Sequence, residues 1–396
     1  MMDRVELAKG VYYVGAVDWN VRDFHGYRTE RGVTYNSYLI VDEKIALIDL
    51  VKAPFAGELL EHISEIVDPA KIDYVIVNHV EPDHAGALPE VMKHCPHAKV
   101  VITEKGRQEA CKHYGSHYDF QVVKDKDTLS LGKNEVEFIP ITMLHWPDSM
   151  TTYLKTEGIY FSNDAFGQHI CTSKRFDDEV YLPDVYYEAE KYFANILMPY
   201  ARLIGRALQR VANYDIRMIA PSHGVIWRSH ICDIVCRYAD WGAGKEQERI
   251  VLFYETMWGG TERMARAILD GIEKAGVEAR FYRLSASDRS HIVSEVLTAA
   301  GVLVGSPTLN GGMMPVVGDM LTYLKGLRPT GKLAAAFGSY GWSGGAQKDM
   351  EELLTKAGTT LEPGLNLAWT PDAAEIEKAE AFGFEFAQKV KTKLAK

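Results

Sequence analysis

The stretch IDYVIVNHVEPDHAGA, residues 72–87, limits what this chain can fold into more than any other. Its apolar, β-branched run YVIV reads as a buried strand. The run leads directly into His79, Glu81, Asp83 and His84, four residues able to ligate a metal within six positions. On extended chain His79 and Glu81 point the same way, and Gly86 permits a tight turn into a helix. A strand that ends in such a cluster places a site at a sheet edge, where α/β folds build their sites. Taken singly, His79 reads as an edge histidine and Asp83 as the N-cap of a helix near Ala85.

Three further candidates recur in the same setting of strand followed by loop. They are His145 in MLHWPDSM, Asp164 in YFSNDAFG and His223 in IAPSHG. Alone, His223 fits turn chemistry. Together the seven exceed what one tetrahedral ion takes and suit two ions sharing a bridge, for which the Asp164 carboxylate is the natural candidate. Ions held about 3.5–4 Å apart act on a single small substrate. Four imidazoles mixed with three carboxylates favour redox-active iron over zinc. Asp148 and Ser149 are candidates to orient His145, because a metal-bound histidine needs a partner for its other nitrogen. Trp146 reads as pocket wall, and His169 and Cys171 as structural.

A length of 396 residues implies two or three domains. Up to about residue 240, short β-rich runs come in pairs as well as alternating with helical patterns, which predicts layered mixed sheets. GAGKEQER, residues 242–249, breaks the pattern and reads as a linker. Beyond it RIVLFYE, EARFYRL, GVLVGSPT and KLAAAFGSY are each followed by a helical pattern, and a closing helix runs from about Ala373 to Lys393. That alternation predicts a parallel sheet covered on both faces. The expected domains are 1–245 and 250–396.

Three loops of the second domain share a chemistry. In YETMWGGTER, Thr256 and Thr261 offer hydroxyls and Gly259 and Gly260 offer backbone freedom where a helix begins, which suits a phosphate; Met257 and Trp258 lie between them. GSPTLNGG brings Ser306, Pro307, Thr308, Leu309 and Asn310 to a strand end, and GSYGWSGGA brings Ser339, Tyr340, Gly341, Trp342 and Gly344. Amides, hydroxyls and aromatics at adjacent strand ends suit a flat ring, with Trp342 or Tyr340 over one face and Trp258 near the other.

The motif H-x-E-x-D-H with its separated His, Asp and His resembles the metallo-β-lactamase-like fold as flavodiiron proteins use it. DWNVRDFHGY (18–27) and TYNSYLI are similar to that family too. The resemblance implies His79, Glu81 and His145 on one iron, Asp83, His84 and His223 on the other, and Asp164 between them. Hydrolytic branches of the fold usually carry histidine where this chain has Glu81. The resemblance also places His25 beside the iron pocket, where it could donate a hydrogen bond to bound oxygen. The segment from about 250 resembles flavodoxin; TMWGGTE departs from short flavodoxins at Met257 and Trp258, and one phosphate loop implies FMN.

Over nearly the whole chain the resemblance implies a metallo-β-lactamase-like αββα sandwich followed by a flavodoxin-like doubly wound parallel sheet. It implies reduction of O2 to water, of NO to N2O, or both, with two irons and FMN as cofactors. It further implies an external donor such as rubredoxin and a head-to-tail homodimer, or a dimer of such dimers. The rival reading is a dizinc hydrolase with an accessory flavodoxin domain, and Glu81 stands against it. A net charge of −10 without a basic cluster makes nucleic acid a poor partner. The absence of any apolar window of about 18 residues, and of a signal-like N-terminus, predicts a cytoplasmic protein without a membrane span. Five scattered cysteines predict no disulfide framework, Cys232 and Cys236 reading as two reduced core cysteines four apart on one helix.

Overall fold

The computed structural model describes residues 5–395. These form two compact units, 5–192 with Arg202–Ala239, and Phe193–Ala201 with 240–395. Phe193–Ala201 joins the second unit through Asn195, whose side-chain amide donates to the Ser290 carbonyl and accepts from the Tyr323 hydroxyl.

In the first unit, seven strands form one sheet in the order Val5–Ala8, Val11–Tyr13, Tyr38–Val41, Ile45–Ile48, Ile72–Ile76, Lys99–Thr103 and Phe120–Val123. Pairing is antiparallel up to Ile45–Ile48 and parallel beyond it. A second sheet holds Thr128–Ser130, Glu135–Pro140, Met150–Leu154, Ile159–Asn163 and Met218–Pro221, antiparallel except for its last pair. The pleat sorts the apolar residues by parity. Ile40, Ile48, Ile76 and Val101 face Val136, Phe138, Ile159 and Phe161 of the second sheet. Their neighbours Leu39, Leu47, Val75 and Val100 face Leu59, Ile63, Leu88 and Val91 on helices. Both faces of the first sheet are therefore apolar, which is why its strands read as continuous hydrophobic runs.

The second unit carries a wholly parallel sheet in the order Glu278–Arg283, Gln247–Tyr254, Ala299–Gly305, Leu333–Tyr340, with Thr360–Leu361 and Leu365–Ala368 both on the far side of Leu333–Tyr340. Numbered along the chain this is the order 2-1-3-4-5, a doubly wound sheet with its switch point between the first and third strands. The expected linker is shorter than the sequence suggested. The helix Ile231–Gly242 runs to its start, carrying Cys232 and Cys236 on its exposed side and not in the core as the sequence suggested, and Gln247 already pairs with Ala299 at the start of its strand. Charged residues there belong to a solvated strand end.

Helices Gly260–Lys274 and Ala373–Leu394 pack on each other across one face of the sheet, sharing a core of Met264, Ile268, Ala379 and Phe386. Two glycines set how closely they approach. A Cβ at Gly383 would fall 2.1 Å from the Ile268 carbonyl oxygen, and one at Gly271 would fall 1.9 Å from that of Glu380. Backbone cannot yield as a side-chain tip can, so Gly383→Ala is expected to force the helices apart and cost about 1–3 kcal/mol. Thermal unfolding followed by circular dichroism checks this, the expected outcome being a lower midpoint.

Candidate functional site

The strand Ile72–Ile76 delivers the chain to His79, after which Pro82 opens the short helix Pro82–Ala85. Glu81, not Asp83, occupies the N-cap position, and Asp83 and His84 lie within the first turn. Asp164 follows the strand Ile159–Asn163, His223 follows Met218–Pro221, and His145 stands in the loop between Glu135–Pro140 and Met150–Leu154. The seven residues thus come from strand ends of both sheets.

They gather in two groups that meet at Asp164. In the first, His79 Nε2 is 3.2 Å from Glu81 Oε2 and 3.8 Å from Asp164 Oδ2. His145 Nε2 is 3.3 Å from each of the same two oxygens. In the second, His84 Nε2 is 3.0 Å from Asp164 Oδ1 and 3.4 Å from Asp83 Oδ2. His223 Nε2 stands 3.2 Å from Asp83 Oδ2 and 3.6 Å from Asp164 Oδ1. One carboxylate therefore presents one oxygen to each group.

This arrangement fits two cations. Donor atoms around an ion with bonds of about 2.0–2.2 Å lie roughly 3.0–3.6 Å apart, and all but the His79–Asp164 separation fall in that range. All but His145 are buried. Among the described residues, both oxygens of Asp83 and Oδ2 of Asp164 have no hydrogen-bond partner. Buried carboxylate oxygens left this way are costly unless a cation lies among them.

Surrounding residues aim the donors. His79 Nδ1 donates to both oxygens of Asp148 at 3.0 Å, and Asp148 also accepts from the Val80 amide. Asp148 thus orients His79 and not His145, its neighbour in sequence; the loop turns its carboxylate toward the strand end of the other sheet. The Ser149 hydroxyl accepts from the Trp146 amide and likewise does not hold His145. His223 Nδ1 donates to the Thr34 carbonyl at 2.6 Å. In both rings Nε2 is left to face the carboxylates. The Tyr192 hydroxyl donates to Asp164 Oδ1 at 2.9 Å. Trp146 stands edge-on 5.0 Å from the His79 ring, as a wall.

Asp49, which the sequence reading passed over, ties the ligand-bearing loops together. It accepts from the backbone and side-chain amides of Asn78 at 2.8 and 3.0 Å, from the Asn163 amide at 3.3 Å and from the Ser222 hydroxyl at 3.4 Å. Each partner directly precedes a ligand candidate: His79, Asp164 and His223. The only signal in the sequence is an acidic residue closing the apolar strand of IALID. Tyr192 carried no signal at all.

His25 sits at the tip of a hairpin between Asp23–Phe24 and Tyr27–Arg28. His25 at φ 56° and Gly26 at φ 76° make the two-residue turn that tight hairpins favour. The imidazole is largely exposed, with Nε2 3.1 Å from Glu81 Oε1. That hydrogen bond raises its pKa.

The second unit holds a cleft of about 440 Å³ at the C-terminal ends of its strands. Of the first loop, Thr256, Met257, Trp258 and Gly260 line it. Pro307, Thr308, Leu309 and Asn310 line it from the second loop, and Ser339, Tyr340, Gly341 and Trp342 from the third. Gly259, Thr261, Ser306 and Gly344 stand behind this lining. Gly259, at φ 83°, donates its amide to the Thr256 hydroxyl. The Thr261 hydroxyl pairs with that of Ser339, and the Ser306 hydroxyl accepts from the Met314 amide. Gly311, Ser343, Trp369 and Thr370 also line the cleft and were missed. Trp369 and Thr370 follow Leu365–Ala368, a four-residue strand too short to stand out; the apolar run NLAW was its signal. Trp258, Trp342 and Trp369 are 93%, 90% and 62% exposed, an unusual surplus of aromatic surface for one rim. The aromatic rim, the helix N-terminus at Gly260 and the glycine-lined backbone fit a planar ring carrying a phosphate.

Comparison with known proteins agrees with this fold. Residues 33–224 match the ODP family of beta lactamases, and residues 252–383 match flavodoxin. The chain is 48% identical over 398 residues to the nitric oxide reductase of Moorella thermoacetica, covering 98% of this chain and 100% of that one. It is 41% identical to the anaerobic nitric oxide reductase flavorubredoxin of Pectobacterium atrosepticum, covering 97% of this chain and 77% of that one. Rubredoxin oxygen:oxidoreductase from Desulfovibrio gigas superposes with a TM-score of 0.96 at 39% identity, over all of both chains. The flavodiiron protein of Giardia intestinalis does so at 0.96 and 37%, over 99% and 98%. A lactamase-like sandwich with clustered carboxylates and imidazoles, joined to a flavodoxin unit, defines a class of redox flavoproteins. The chain belongs to the flavodiiron protein family.

Two outcomes are expected. Burial alone would lower the imidazoles of the metal-free protein, but the carboxylates beside them hold His79 and His145 at about 10 and His84 at about 9. The unfolded value is about 6.5. A folded pKa above the unfolded one gives stability fully present below about pH 6.5 and lost as pH rises through 9 to 10. The melting midpoint of chelator-treated protein should therefore fall over that alkaline window. Separately, Asp49→Ala should weaken metal retention about 10–100-fold against a competing chelator, the range for residues that orient ligands.

Proposed function

We propose that this protein is a flavodiiron oxidoreductase that reduces nitric oxide to nitrous oxide, dioxygen to water, or both. The observation that carries the reading is the pair of carboxylate–imidazole groups meeting at Asp164, with Glu81 in the first group, in a chain that also holds the aromatic cleft. Glu81 supports iron over zinc, since a second carboxylate in that group suits a redox metal. His79, Glu81 and His145 would hold one iron and Asp83, His84 and His223 the other, with Asp164 serving both. When bound, two irons supply two electrons and a reduced flavin two more, enough for four-electron reduction of O2 or coupling of two NO molecules.

The chain's own residues then have definable tasks. Asp148 and the Thr34 carbonyl keep His79 and His223 in the tautomer that presents Nε2. Asp49 and Tyr192 fix the bridging carboxylate and the loops around it. His25 closes the pocket over Glu81 and is poised to donate a hydrogen bond to a bound gas. In the cleft, Thr256, Gly259, Gly260 and Thr261 would hold the FMN phosphate at the helix N-terminus, while Trp342, Trp369 and Trp258 flank the ring.

The domains read as 1–245 for the diiron site and 250–396 for FMN. The exposed aromatic rim of the cleft supports burial against a second copy in a head-to-tail homodimer, or a dimer of such dimers. Rubredoxin or a similar small redox protein is the proposed donor and the cytoplasm the proposed location. Among the described residues, no helix is long and apolar enough to cross a membrane.

Metal and flavin content, measured with anaerobic consumption of both gases by dithionite-reduced protein, tests the reading. About two irons and one FMN per chain are expected, with at least one gas consumed. Zinc in their place, with neither gas consumed, would favour the dizinc hydrolase. The double variant His79→Ala with Asp164→Ala should abolish gas consumption and leave reduction of the flavin intact.

A further inference from the structure

A buried charged cluster lies on the helix Leu182–Tyr192, outside the ligand set. Glu188 is only 2% exposed and the Lys191 side chain is fully buried. Lys191 Nζ donates to Glu30 Oε2 at 2.6 Å and stands 3.7 Å from Glu188 Oε2. Arg31 Nε stands 3.5 Å from Glu188 Oε1, and Arg31 Nη1 donates to Asp184 Oδ2 at 2.6 Å. The charged groups that face Glu188 are thus Lys191 and Asp184 from its own helix, and Glu30 and Arg31 from the chain after Tyr27–Arg28. Although two cations flank it, Glu188 Oε2 has no hydrogen bond among the described residues. Burial pushes this carboxyl up to about 7, Lys191 and Arg31 holding it from rising further. An acid so placed exchanges its proton near neutral pH.

The cluster spans the wall of the site. On its outer side Glu30, Arg31 and Asp184 are in contact with solvent. On its inner side Glu188 and Tyr192 are four residues apart and share a helix face, roughly 6 Å apart along the axis. The Tyr192 hydroxyl donates to Asp164 Oδ1. Lys191 Nζ lies 5.4 Å over the Tyr27 ring, which stacks at 5.0 Å on His169. The His169 ring is 5.0 Å from those of both Tyr192 and His223. His169 is fully buried and neither ring nitrogen has a hydrogen-bond partner among the described residues. Read from sequence as structural, it completes a column that runs from Lys191 to Asp164 and His223, whose members Tyr27, His169 and Tyr192 meet through ring contacts.

We propose that Glu188 is the proton-loading station of this column, passing protons inward during gas reduction and reloading from solvent past Glu30. The inference rests on the function proposed above. Reduction of O2 to two waters consumes four protons with its four electrons, and coupling of two NO to N2O and water consumes two with two. Each inward transfer turns the Glu188 acid into a carboxylate, which Lys191 and Arg31 stabilise until a solvent proton restores it. The electrons come through the flavin, and no other reactant is needed. Glu188 is a relay residue and touches no substrate.

The test pairs Glu188→Gln, which cannot carry a proton, with Glu188→Asp, which can. In metal-free protein, difference infrared spectroscopy should show a protonated-carboxyl band that titrates near neutral pH and is missing from E188Q. In iron- and flavin-loaded enzyme, wild-type kcat for gas consumption should fall as pH rises through about 7. E188Q should lose that limb and about tenfold or more in kcat at unchanged KM, with E188D or a small weak acid restoring both. A wild type that consumes gas beside an E188Q with the same kcat and the same pH limb overturns the inference alone. So does the absence of any carboxyl titrating near neutrality in the metal-free wild type. A loaded wild type that consumes neither gas overturns the proposed function and this inference with it.

Discussion

Buried negative charge is the constraint on which the first unit depends. Glu81, Asp83 and Asp164 lie together out of solvent, and both oxygens of Asp83 and Oδ2 of Asp164 find no donor among the described residues. Burial alone would raise the Glu81 and Asp164 carboxyls, yet facing imidazoles hold both far below the usual carboxylate range. Such a cluster is stable only when positive charge enters it, as protons on the imidazoles or as cations among the donors. The sandwich exists in a form that can sustain this: apolar strands buried on both faces make rigid rods, and the charges sit only where the rods end.

Rigidity at the strand ends is carried by hydrogen bonds to backbone and to residues adjacent to the ligands. Asp49 gathers Asn78, Asn163 and Ser222, so three loops from two sheets share one carboxylate. Asp148 crosses between sheets to fix His79, and the Thr34 carbonyl fixes His223. A candidate ligand set drawn from seven positions over 145 residues of chain keeps its geometry because its neighbours are pinned.

The flavin unit solves a different problem with different means. Its cleft is built from backbone turns at parallel strand ends, where close approach matters more than charge. A Cβ at Gly345 would fall 1.8 Å from the Gly311 carbonyl oxygen, so the second and third loops meet at a distance only glycine allows. The three exposed tryptophans around the rim are surface that a folded chain does not leave bare without a use. In the first unit chemistry is held by side chains; in the second it is shaped by the main chain.

The identity of the seven ligand candidates was legible in the sequence by itself, because ligand-type residues stood at the ends of apolar runs and strand period 2 set their direction. The parallel sheet of the second unit was legible for a similar reason, each apolar run being followed by a helical pattern of the right length. Local chemistry also marked the candidate phosphate loop, where hydroxyls and glycines open a helix. What only the tertiary structure decided is which residues stand behind these. Asp148 lies three residues from His145 yet serves His79, and Asp49, Tyr192, Glu188 and Trp369 reach their sites from distant segments with no motif of their own. A ligand is announced by its own residue type and its place on a strand. A supporting residue is defined by which strand or helix packs beside it, and that is settled by burial and hydrogen bonding across the folded chain, not by anything local to its position.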